Sequence, residues 1–212
     1  MRAMIRKFIL LICAAAAYAV GFQPTWMLRD SVLAAFGSPA YQGVWILIPH
    51  LFLYSTLSAL VCLALWLALI RAKWLPPMPF ALSRGVVIWG LVAGVVTALA
   101  SFAYFAIQMP DAVHAARFNP WIAGANIFSN FYEEFIFRGF LLATLAAVFG
   151  FWPAAALSSI AFAAVHIQYP LDLQGLIAAS ALLWCWTVRR TKSVWSAYVA
   201  HMTLDWIVDP FV

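Results

Sequence analysis

The sequence predicts an all-α fold, a polytopic membrane helix bundle of about seven transmembrane helices. Three observations predict it. The 212 residues are 67% hydrophobic and 9% charged, against roughly 25% charged in soluble domains. The apolar residues fall in runs close to the roughly 20 that a helix needs to cross a bilayer. The breaks between runs hold prolines, short polar stretches and most of the basic residues, which are loop and topology signals. The net charge of +5 does not indicate nucleic acid, because the basic residues are dispersed between apolar runs and form no patch.

The first span is expected from Phe8 to Phe22, after the basic start MRAMIRK. Its FILLICAAAAYA also reads as a secretory signal with AYA as the cleavage site, the alternative to a retained first helix. A polar loop is expected around Gln23 to Asp30, and a second span from about Gly43 to Ile70. Arg71, Lys73 and the breaker LPPMP end that span. The third span covers about Val86 to Gln108, and MPDAVHAARFNP follows as a loop. The fourth begins near Trp121 and runs to about Val148, where FGFWP makes a tight turn. Ala154 to about His166, Gly175 to Val188 and Val194 to the end complete the set. With the N-terminus inside, inner loops collect Arg2, Arg6, Lys7, Arg71, Lys73, Arg84, Arg189, Arg190 and Lys192, whereas outer loops hold Arg29 and Arg117. The positive-inside rule therefore puts the N-terminus in and the C-terminus out, in the inner membrane if the source is bacterial.

Charges inside such spans are costly, about 2.5–3.5 kcal/mol each at mid-bilayer on insertion scales. The fourth span nevertheless reads FYEEFIFRGFLL, with Glu133, Glu134 and Arg138 among phenylalanines. Glu134 and Arg138 are four apart, on one helix face, and can pair. Glu133 points about 100° away and needs another partner or a wet cavity. Asn126 and Asn130 extend the Glu134 side into a polar stripe that must face protein. FAAVH places Phe162 four before His166, and HMTLD places His201 four before Asp205. Separate helices thus offer Glu133, His166, and His201 with Asp205. A carboxylate and an imidazole can take a proton from water and pass it to a leaving amine, while a second imidazole can hold an oxyanion. The same groups Glu133, His166 and His201 can instead ligate zinc, although no HExxH supports that alternative.

EExxxR, FxxxH and HxxxD, in that order on separate membrane helices, in "EEFIFR" at 133–138, "FAAVH" at 162–166 and "SVWSAYVAHMTLD" at 193–205, resemble the CPBP family. That family comprises type II CAAX prenyl endopeptidases and bacteriocin-processing or self-immunity (Abi) proteins. The likeness spans about the last 90 residues; the earlier spans are similar only in being hydrophobic. It implies a single integral-membrane domain over 1–212, with N-terminal spans in 1–120 and a motif-bearing catalytic core in 121–212. It implies a glutamate-dependent intramembrane endopeptidase without a cofactor, in which Glu133 is the general base and acts with His166 on water. It further implies that Glu134 pairs with Arg138 and that His201 and residue 205 form the oxyanion site; Asn130, from its place in the polar stripe, is expected to support the pair. The family pattern has Asn where this chain has Asp205, so the oxyanion role of that position is the one departure. The implied partners are a protein or peptide substrate, with a transmembrane or lipidated segment or an exported leader, and membrane lipid.

Other polar residues carry less. His50 beside Pro49, and His114 in a loop, are read as incidental, and Asp172 and Asp209 as solvated end charges. Ser158 and Ser159 lack the GxSxG setting of a nucleophile. Cys13, Cys62 and Cys185 match no metal spacing and pack as small hydrophobes. Two other function classes remain open at this level: a non-catalytic immunity or scaffold protein, and a transporter or proton relay, for which no inverted repeat is evident.

Overall fold

In the computed structural model, which describes residues 2–35, 43–47, 59–77 and 80–211, the chain is helical, with no strand among the described residues. Helix α1 covers Arg2–Ala35, α2 Ala59–Arg71 and α3 Arg84–Gln108. Helix α4, Pro120–Glu134, continues without a break through a π-helical stretch, Phe135–Leu141, into α5, Leu142–Phe149. Helix α6 covers Phe151–Ala164, α7 Leu171–Thr191 and α8 Trp195–Val208. Helices α3 and α7 are long and apolar enough to cross a membrane, while α2 and α6 are apolar but shorter. Part of the expected second span, residues 48–58 with His50 in it, lies outside the described residues.

The ends of the elements follow from local chemistry. Ser83 caps α3 by accepting from the Val86 amide at 3.3 Å. Asn119 caps α4, its Oδ1 accepting from the amides of Trp121 and Ile122, with Pro120 as the first helical residue. The FGFWP turn sits where expected, and Gly150 takes the positive φ of 81° that reverses the chain between α5 and α6. One expected loop is absent, because Gln23–Asp30 is helical backbone within α1. Polarity alone does not end a helix: Gln, Met, Leu and Arg are good helix formers, and Pro24 by itself does not force a reversal.

Among the described residues, α3 packs closely along α8. Gly90 and Gly94 make it possible. A Cβ on Gly90 would stand 2.6 Å from Val199 Cβ, and one on Gly94 would stand 2.6 Å from Ala200 O and overlap Thr203. Small residues four apart let two backbones approach in lipid, where burial of apolar surface gives little drive. This four-residue spacing of Gly90 and Gly94 is present in the sequence itself. Gly94→Val is expected to cost about 1–3 kcal/mol by overpacking, seen as a lower Tm in detergent. An unchanged Tm would show that the two helices can separate without loss.

Around that pair, α7 packs on α3, α6 and α8, and α4 packs on α8. Helices α1 and α2 close over the π-helical stretch from the other side. Phe135, Ile136, Phe137, Phe140 and Leu141 are all buried there, with Trp66 of α2 against Phe135 and Phe140. A π turn disturbs the regular carbonyl pattern of a helix, and hydroxyls meet it here. Ser158 Oγ donates to Phe137 O at 2.8 Å, and Thr144 Oγ1 to Phe140 O and Leu141 O at 2.9 Å. Ser158 is therefore structural. The loop after α3 is tied to the C-terminal turn, with the His114 amide donating to Phe211 O and the Arg117 amide to Pro210 O.

Candidate active site

Glu133 and Glu134 close α4, Arg138 lies in the π-helical stretch, His166 follows α6, and His201 and Asp205 lie on α8. The packing of α4 and α7 on α8, and of α6 on α7, turns these residues toward one region. A cavity of about 410 Å³ is walled by Glu133, His166, His201 and Asp205 together, with Asn126 and Asn130 also at its edge. Apolar side chains of α3 and α7, including Phe105, Leu176 and Trp184, complete it. The side chains that the sequence singled out on three separate helices thus share one concave surface.

Their contacts differ in kind. Glu133 is within 4.0 Å of His201 Nδ1 and its side chain keeps 14% of its exposure, while the Glu134 side chain keeps 1%. No hydrogen bond to Glu133 from the described residues is formed, so its carboxylate is available to the cavity. His166 is half-buried, and its Nδ1–H donates to Phe162 O at 2.8 Å. A carbonyl can only accept, so this bond leaves Nε2 as the nitrogen with a free lone pair when the ring is neutral.

Glu134 does more than the sequence implied. Its Oε1 lies 3.1 Å from Arg138 Nη1, the expected pair, and also accepts from His201 Nδ1 at 2.9 Å. The second contact joins residues 67 apart in the chain, which no local spacing announces. Arg138 is buried at 2% exposure, and its guanidinium lies over the rings of Phe162, at 4.1 Å, and Trp184, at 5.0 Å. The aromatic faces meet a charge that Glu134 alone does not surround.

Asp205 approaches His201 Nε2 at 3.7 Å, beyond hydrogen-bond length, and accepts from Asn130 Nδ2 at 2.7 Å. Asn130 is thereby a supporting residue for Asp205, where the stripe suggested support for the Glu134 side. One turn on, Asn126 Nδ2 donates to Asp209 Oδ2 at 2.6 Å. Asp209 is exposed, as an end charge should be, yet it also borders the cavity. The amide of Asn130 donates into Asp205, so this position presents an acceptor where the family pattern has a donor.

Among the described residues no three His, Cys, Asp or Glu side chains are arranged to hold a metal ion. Nδ1 of His166 and Nδ1 of His201 are each hydrogen-bonded to a protein acceptor, which leaves Nε2 of each ring as the nitrogen that can face a ligand. The three cysteines are free.

Comparison with known proteins agrees with the geometry at family level. The family model described as Type II CAAX prenyl endopeptidase Rce1-like matches residues 115–207. No curated protein and no solved structure matches the chain. The matched segment begins just before α4 and ends in the last turn of α8, so it contains the cavity residues on α4, α6, α7 and α8 with the exception of Val208. Over residues 115–207 the chain is accordingly similar to the Rce1-like type II CAAX prenyl endopeptidases, a family of membrane proteases.

Proposed function

We propose that the protein is an intramembrane endopeptidase that hydrolyses a peptide bond of a membrane-associated or exported protein by activating water, without a cofactor. The observation that carries this reading is the common cavity: the carboxylate of Glu133, which accepts no hydrogen bond from the described residues, and two imidazoles of defined hydrogen bonding face the same space. In the proposed reaction Glu133 takes a proton from a water held with His166 Nε2. The water oxygen adds to the substrate carbonyl carbon, and the carbonyl electron pair moves onto oxygen. His201, protonated on both nitrogens, donates Nδ1–H to Glu134 and offers Nε2–H to that oxyanion. Collapse breaks the C–N bond, and the proton held by Glu133 goes to the leaving amine. Asp205 accepts from Asn130, so in this scheme it supports His201 and does not itself bind the oxyanion.

The same reading places the chain in the membrane with about seven spans, N-terminus inside and C-terminus outside. The substrate is either a lipidated C-terminal segment, as the family description suggests, or an exported leader. Membranes mixed with the purified protein or its Glu133→Gln variant, followed by mass-spectrometric mapping of new peptide termini, test the whole proposal. New termini specific to the unmodified protein are expected. An identical set of termini in both samples would remove the protease reading. Loss of activity with chelator, restored by zinc, would replace the glutamate mechanism by a metal one.

A further inference from the structure

The proposed mechanism needs His201 held in one plane, and the polar contacts alone do not hold it. The Nδ1 bond to Glu134 at 2.9 Å fixes the position of one nitrogen. The Nε2 contact with Asp205, at 3.7 Å, is too long to fix the other. An imidazole held through a single bond can still swing about it. The second constraint is an aromatic face. Trp184 of α7 lies with its ring centroid 4.5 Å from that of His201, at an interplanar angle of 31°. Phe162 meets His201 edge-on at 5.8 Å and an angle of 86°.

Trp184 is itself placed with care. It is 1% exposed, it lines the cavity, and the Arg138 guanidinium lies 5.0 Å above its ring. Its Nε1–H has no acceptor among the described residues. Burying a donor without an acceptor is unfavourable, and a phenylalanine would supply an apolar ring without that cost. The indole is therefore not there for its hydrogen bond. What it supplies beyond phenylalanine is a larger ring with a stronger negative quadrupole, and both His201 and Arg138 lie against that ring.

We infer that Trp184 is a positioning residue for His201, its indole face holding the imidazole so that Nδ1 reaches Glu134 and Nε2 turns to the cavity. This deepens the proposed function, because it assigns to α7 a part in a site otherwise built from α4, α6 and α8. The geometric half of the claim does not depend on proteolysis.

The test uses the full chain in lipid nanodiscs with ¹⁵N-labelled histidine. The readout is the His201 Nδ1–H resonance, assigned by its loss in His201→Gln. In the parent a downfield proton, protected from exchange by the bond to Glu134, is expected. Trp184→Phe should retain the resonance, with faster exchange. Trp184→Leu should lose it or speed its exchange by about tenfold or more, as the ring is freed to leave the bonded orientation. Thermal unfolding of both variants, followed in parallel, reports the general packing loss. If the leucine variant folds and keeps the parent resonance and exchange rate, the positioning role is wrong. If that variant does not fold, the phenylalanine variant decides: parent-like exchange overturns the proposal and faster exchange supports it. In the terminus-mapping assay the leucine variant should produce the same cleavages at a lower rate, with kcat reduced and KM little changed. Failure of that arm alone, with the resonance behaving as expected, would count against the protease reading and leave the positioning of His201 standing.

Discussion

Glu133→Gln is expected to leave a folded, membrane-inserted protein whose cleavage rate is lower by about 10²–10⁴-fold, the usual contribution of a general base. The substitution is nearly isosteric. It removes the basic oxygen but breaks no hydrogen bond from the described residues, since Glu133 accepts none; the nearest basic nitrogen, His201 Nδ1, is 4.0 Å away and already donates to Glu134. Stability should therefore change by no more than about 0.5 kcal/mol, as for substitutions away from core contacts. Paired measurements of Tm and of cleavage in reconstituted vesicles separate the two quantities. Cleavage at the parent rate would exclude Glu133 as the base. A large drop in Tm would show that its carboxylate carries structure.

Arg138→Ala is expected to have the largest effect on stability, about 3–5 kcal/mol, the cost of breaking a buried ion pair from one side. Glu134 would be left at 0% exposure with His201 as its one remaining partner among the described residues, and the rings of Phe162 and Trp184 would lose the guanidinium that lies over them. A sharper form of the prediction uses two variants. Arg138→Met combined with Glu134→Leu replaces the pair by apolar side chains and should regain much of the lost Tm, because buried pairs are often no more stable than well-packed hydrophobes. Activity should stay low in that double variant, since His201 no longer has an acceptor for Nδ1. Thermal unfolding in detergent and cleavage in vesicles give the comparison. Parent-like stability in Arg138→Ala would refute the structural reading of the pair. Full activity in the double variant would refute any role of Glu134 in holding His201.

Much of the candidate site could be read from the chain because it is written in helical spacing. Glu134 and Arg138, Phe162 and His166, and His201 and Asp205 are each four apart, and the contacts within these pairs at 3.1 Å, 4.8 Å and 3.7 Å follow from the turn of a helix. The bonds from His201 to Glu134 and from Asn130 to Asp205, and the stacking of Trp184 on His201, were not legible. They cross between helices, and which residues meet there depends on how far each helix is rotated about its own axis. The π-helical stretch adds to the difficulty. It begins directly after Glu134, so residues beyond it do not lie on the face that a 3.6-residue period assigns.

The long apolar runs and scarce charges by themselves determined a helical, lipid-suited chain, because a bilayer leaves backbone amides no partner except within helices or closed barrels. They also determined that Glu133, His166, His201 and Asp205 stand out against their surroundings, since an ionisable group in such a run has a cost that demands a reason. Only the tertiary structure decided that these groups wall one cavity, that Glu134 binds His201 as well as Arg138, and that α3 lies against α8 through Gly90 and Gly94. The physical reason is the difference in range. Composition and period are properties of neighbours along the chain, whereas a shared cavity is a property of how separate helices interlock, and side chains far from the motifs decide that.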